Sequence, residues 1–146
     1  MTTPREAACQ ALFALVSGAY AWNGTPSRRL KLWGDVPKAT RPALFQSESG
    51  RDAYTWTNLV NPKRSFEVRL FIYVAASDAA PGASQLTAIK DALDAALKPS
   101  GPDVPLGRNT LGGKVSTCRI KEIPLSDPGD LDGDGVLIVT VELILP

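Results

Sequence analysis

The apolar residues of this chain predict an α+β domain, an antiparallel or mixed sheet of about four main strands with two helices packed on one face. Two segments repeat apolar residues at helical spacing, one near the N-terminus and one from Ser84 to about Lys98. Arg64–Ala75 and Val136–Leu145 alternate with a period of two instead, as half-buried strands do. The order α-β-β-α-β-β then suits helices gathered on one side of a sheet. With 146 residues and no repeat or linker, residues 1–146 read as a single domain able to bury a sizeable core.

Each element has a local reason. Thr3-Pro4-Arg5-Glu6 offers a cap, a first-turn proline and the acid of a capping box. Ala8, Leu12, Leu15, Val16 and Ala19 then share a face, and Gly18 offers a stop. After a short Leu30–Trp33 run, Pro42-Ala43-Leu44-Phe45-Gln46 is apolar enough for a strand with Pro42 at its edge. Ser47 to Lys63 is polar, with turns expected at Ser49-Gly50 and around Asn61-Pro62. In the clearest strand, Phe66, Val68, Leu70, Ile72 and Val74 point one way, while Glu67, Arg69, Phe71 and Tyr73 point the other. Ser84 can cap the second helix, whose face is Leu86, Ile89, Leu93, Ala96 and Leu97, and Pro99 ends it. Lys114–Ile123 reads as a strand, and the last strand turns Leu137, Val139, Val141, Leu143 and Leu145 to one side.

The apolar fraction of 44% and charged fraction of 21% describe a globular chain and not a disordered one. A net charge of +1 argues against nucleic acid as the main ligand. The charge is unevenly spread: residues 1–75 hold ten Lys/Arg against five Asp/Glu, and residues 76–146 hold six against ten. That polarity can set how copies dock on each other. Cys9 and Cys118 lack metal or redox spacing and read as buried thiols in a reducing cytoplasm. Nothing resembles a signal peptide, and Val136 to Leu145 is too short to span a bilayer, so no membrane partner is expected.

The stretch D-P-G-D-L-D-G-D-G, Asp127 to Gly135, opens like a calcium loop. Counting from Asp130, however, the twelfth position, where calcium needs a bidentate carboxylate, is Val141, and a strand follows where the motif needs a helix. Asp130, Asp132 and Asp134 therefore read as a tight solvated turn, with any calcium binding no tighter than millimolar. The chain has no histidine, hence no imidazole base or zinc ligand. Its serines lack a G-x-S-x-G context, and Gly107–Lys114 departs from a phosphate loop in spacing and in leading into a strand. No catalytic, cofactor-binding or metal residue is assigned, no cofactor is expected, and the chain does not read as an enzyme. Trp22, Trp33 and Trp56 lie in or beside loops near Arg28-Arg29 and Lys63-Arg64. Tryptophan and arginine are enriched at protein contacts, so Arg28, Arg29, Trp33, Trp56, Lys63 and Arg64 form the expected subunit interface. The basic members are expected to lie closer to a neighbour's acids than to their own.

Several segments together resemble the tail terminator (tail completion) proteins of long-tailed bacteriophages. They are Pro42-Ala43-Leu44-Phe45-Gln46, Pro62-Lys63-Arg64 leading into Leu70-Phe71-Ile72-Tyr73-Val74, and Leu86 to Pro99. Thr110-Leu111-Gly112-Gly113-Lys114-Val115 with Cys118-Arg119-Ile120 completes the set. The resemblance spans nearly the whole chain in order, through pieces that are individually weak. It implies a structural virion protein without catalysis: a homo-oligomeric ring, usually a hexamer, at the head-proximal end of the tail tube, assembled in the host cytoplasm. Such a ring stops tube growth, contacts the tail tube protein and the head-tail connector, and lets DNA pass through its lumen. Other readings are a stopper, head-completion or tail tube protein, a weak calcium-binding module, and a small hydrolase.

Overall fold

A computed structural model describes residues 3–146. Seven main elements follow in order: α1 (Pro4–Ser17), β1 (Ala43–Ser47), β2 (Asp52–Trp56), β3 (Pro62–Ala75), α2 (Gly82–Leu97), β4 (Thr117–Asp127) and β5 (Asp134–Ile144). Short 3-10 turns lie at Trp33–Asp35, Lys38–Thr40 and Gly101–Asp103. The fold is α+β, with all five strands antiparallel in one sheet ordered β1-β3-β5-β4 and β2 also paired to β3. No helix among the described residues is long and apolar enough to cross a membrane.

The alternation in β3 does what the sequence requires of it. Phe66, Val68, Leu70, Ile72 and Val74 are buried beneath the helices, and the register sets Val68 opposite Val141, Leu70 opposite Val139 and Ile72 opposite Leu137. Ala8, Leu12 and Val16 of α1, with Leu86, Ile89 and Leu93 of α2, close the same core. Gln46 of β1 is also fully buried, and its Nε2 donates to the Cys9 carbonyl at 3.0 Å, tying β1 to α1. On the opposite face, Val36 from the long α1–β1 connection packs with Ala43, Phe45 and Tyr73. The Tyr73 hydroxyl donates to the Lys31 carbonyl at 2.6 Å and so pins that connection down.

Several boundaries differ from the sequence reading. There are five strands and not four, because β2 is exposed along nearly its whole length and Asp-Ala-Tyr-Thr-Trp shows no alternation. Pro62 begins β3 instead of lying in a turn, and the turn falls on residues 57–61. Thr3 has the extended backbone of a cap, but its side chain makes no capping bond. Glu6, the other half of that box, is drawn to Arg28. α2 starts at Gly82, behind Pro81, so Ser84 lies inside the first turn. Glycine is needed there because a Cβ on Gly82 would stand 1.7 Å from the Pro128 carbonyl oxygen. β4 begins at Thr117 and runs on through Pro124 to Asp127, with two register shifts against β5. An edge strand tolerates that proline, since its N–H side can face solvent.

Leu93 is fully buried between the helices and the sheet. Leu93→Ala should cost about 2–4 kcal/mol, read from urea unfolding, whereas Thr87→Ala on the exposed side of α2 should change stability by less than about 0.5 kcal/mol.

Candidate interaction surface

The β2–β3 hairpin stands out from the domain as an arm. β1 pairs with β3 only from Arg69 to Tyr73, and the β5 ladder ends at Ser65. Beyond that point Tyr54 pairs with Arg64, Thr55 with Lys63 and Trp56 with Pro62. The Asn58 side-chain oxygen closes the tip by accepting from the Val60 and Asn61 amides, both at 2.9 Å. At the base, Arg5 of α1 donates to the Tyr54 hydroxyl at 2.9 Å and lies 3.9 Å from Asp52. The arm therefore has a fixed root. Its outer part is unusually apolar for a free loop: Trp56 is 59% exposed, Val60 77% and Leu59 98%.

Of the six residues expected at an interface, the structure brings Trp56, Lys63 and Arg64 together on this arm. Arg28, Arg29 and Trp33 lie on the separate α1–β1 connection. Tyr54, Leu59 and Val60 escaped the sequence reading. The signal available was Leu59-Val60, an apolar pair inside a polar stretch.

The expectation that Arg28 faces a neighbour's acid is corrected by its surroundings. Its guanidinium grips Glu6 through two bonds of 2.6 and 2.9 Å and also binds Glu48. Two carboxylates of its own chain thus hold it, clasping α1 to the end of β1. These bonds raise the Arg28 pKa and hold the Glu6 carboxyl below its ordinary range. Arg29 and Trp33 remain exposed, although the Trp33 carbonyl accepts from Arg41 at 2.8 Å.

The aspartate turn is a hairpin connection between β4 and β5, but it is not wholly solvated. Asp134 turns inward to accept from Arg41 Nη1 at 2.6 Å. The Arg41 side chain is only 2% exposed, and it also donates to the Val36 carbonyl at 3.1 Å. Ninety-three residues separate the pair in the chain, and no local pattern announces it. Asp130 and Asp132 point outward, and the Asp132 side chain accepts from the Asp134 amide at 2.9 Å. The three carboxylates do not converge, and among the described residues no group of three or more His, Cys, Asp or Glu could hold a metal ion.

A cavity of about 810 Å3 has small apolar walls from Ala11, Leu15, Ala96, Pro102 and Leu111. Its polar side chains bond locally: Asp103 accepts from the Thr110 amide and hydroxyl at 2.7 Å each, and Asn109 accepts from the Leu111 amide at 2.9 Å. Gly112 and Gly113 adopt positive φ there, making the bend that the sequence suggests before β4. Burial pushes the Cys9 and Cys118 thiols up to about 12, so neither is a ready nucleophile.

Removing Arg41 leaves Asp134 only the exposed Lys38, 3.8 Å away, and strands the buried carbonyls that Arg41 serves. Arg41→Met should cost roughly 3 kcal/mol in a guanidinium unfolding experiment. The Glu6 carboxyl has a lower pKa folded than unfolded, so its contribution is complete above about pH 5 and is lost as pH falls through the folded value. Glu6→Gln should accordingly flatten the fall of the thermal midpoint between about pH 5 and pH 3.

Compared with models of known protein families and with curated proteins, the chain finds no match.

Proposed function

We propose that this protein is a ring-forming structural component of a phage tail, the terminator at its head-proximal end. In this role it caps the tail tube, stops addition of tube subunits and offers the head connector a docking surface around a lumen that passes DNA. The ordered run of Ala43–Gln46, Leu70–Val74, Leu86–Pro99 and Thr110–Val115 supports the family reading.

The observation that carries the assembly is the pair of unlike sheet margins. Among the described residues β2 pairs only with β3 and leaves its other edge free, while β4 closes the opposite side of the sheet. β2 is short and regular, and β4 is long, interrupted and mostly exposed. Surfaces so different favour a contact in which one patch meets another on the next copy. Such heterologous contacts close into a ring when the rotation per copy completes a full turn.

Sedimentation and electron microscopy of the purified protein, alone and with tail tube protein, test the reading. Closed rings of one size, seated at one end of tubes whose growth then halts, are expected. Long tubes built from this chain would make it the tube protein, and attachment to the connector alone would make it a stopper. Single copies that neither assemble nor cap tubes would overturn the proposal.

A further inference from the structure

The charge imbalance between the two halves of the sequence becomes a separation in space. At the end of β3, Ala75 pairs with Asp134, and the Ala76 amide donates to the Gly133 carbonyl at 2.9 Å. The loop after β3 and the turn before β5 therefore lie side by side. They carry Asp78, Asp127, Asp130, Asp132 and Asp134. The nearby cations Lys38 and Arg41 both serve Asp134, and none of the other four acids has an ion-pair partner among the described residues. Between the loops lies a cavity of about 340 Å3 lined by Ala76, Asp78, Pro81, Gly82, Asp130 and Gly133. Leu131 stands fully exposed among these acids.

The other end of β3 is opposite in character. Lys63 and Arg64 have no ion pair among the described residues, and Trp56, Leu59 and Val60 are exposed beside them. Apolar side chains are thus set among bases at one end of the strand and among acids at the other. β3 has fourteen residues, so at roughly 3.3 Å per residue its ends are about 40 Å apart. The arm cannot reach the acidic loops of its own chain, and the two surfaces can only meet between molecules.

Building on the ring reading, we propose that the β2–β3 arm of one copy docks on the acidic end of a second copy. Lys63 and Arg64 then face Asp78 and Asp130 across the loop cavity, and Trp56, Leu59 and Val60 cover Leu131. The apolar tip supplies area removed from water, and the charges fix partner and direction. Because the two surfaces differ, the contact is heterologous and repeats from copy to copy.

Charge exchange tests the contact directly. Lys63→Glu with Arg64→Glu gives a chain acidic at both ends, and Asp78→Lys with Asp130→Lys gives one basic at both ends. Each double variant alone should lose rings at the concentration where the wild type assembles, with association weakened at least about tenfold, a change of about 1.4 kcal/mol. Mixed in equal amounts, the two should assemble again, since each arm now matches the other chain's loops. Leu59→Ser with Val60→Ser should also weaken rings, but without that rescue. All substituted side chains are exposed or at the arm, and circular dichroism checks that each variant folds. Wild-type rings that survive both exchanges, or folded variants that fail to reassemble on mixing, would overturn the docking and leave the ring reading intact. A wild type that forms no oligomer, even with tail tube protein, would overturn both.

Discussion

The pairing of β3 with β5 sets the position of almost everything else. Its register runs without a break from Ser65 opposite Ile144 to Ala75 opposite Asp134. A slip of one residue would turn Val68, Leu70 and Ile72 away from α1 and α2 and bring Glu67 and Arg69 into the core. The same register places Glu67 directly opposite Glu142 on the outer face. Two like charges at that spacing repel. Lys121 binds one and Arg119 the other, so β4 supplies the cations that make the central pairing tolerable.

Much of this was legible because it is periodic. The long strand, the last strand and the second helix each present an apolar face that only one period satisfies, and their packing follows from the register. The first strand was legible from its apolar run, although burial of Gln46 shows that one of its core positions is polar. β2 was hidden for the opposite reason: a strand exposed on both faces has no alternation to display. α1 keeps its expected bounds, but its capping box does not form, and α2 begins two residues before Ser84, because local capping chemistry lost to other contacts. Glu6 satisfies Arg28 instead of its own helix, and Gly82 is fixed by the passage of residue 128.

Charge was legible in total but not in its use. The sequence gives Arg28 and Lys63 the same weight as surface cations, whereas the fold separates them completely. Arg28 is held by two carboxylates of its own chain, and Lys63, on the arm, has no ion pair among the described residues. Arg41 was not singled out at all, yet it joins the α1–β1 connection to the start of β5 through Asp134. Such pairs, remote in the chain and unlike any motif, are visible only once the backbone has brought them together. In the acidic turn, the inward role of Asp134 came from a partner that no spacing rule could supply.

The irregularity of β4 has a further consequence for any encounter between copies of this chain. Pro124 removes an amide from the strand, and the two register shifts at Ile120–Glu122 and Glu122–Leu125 break the ladder against β5. An uninterrupted exposed edge would invite strands from any passing chain to add by backbone bonds alone, without regard to side chains. This edge offers no long, straight row of donors and acceptors to copy. Encounters there are left to be decided by side-chain fit, which favours a counted assembly over an endless fibre.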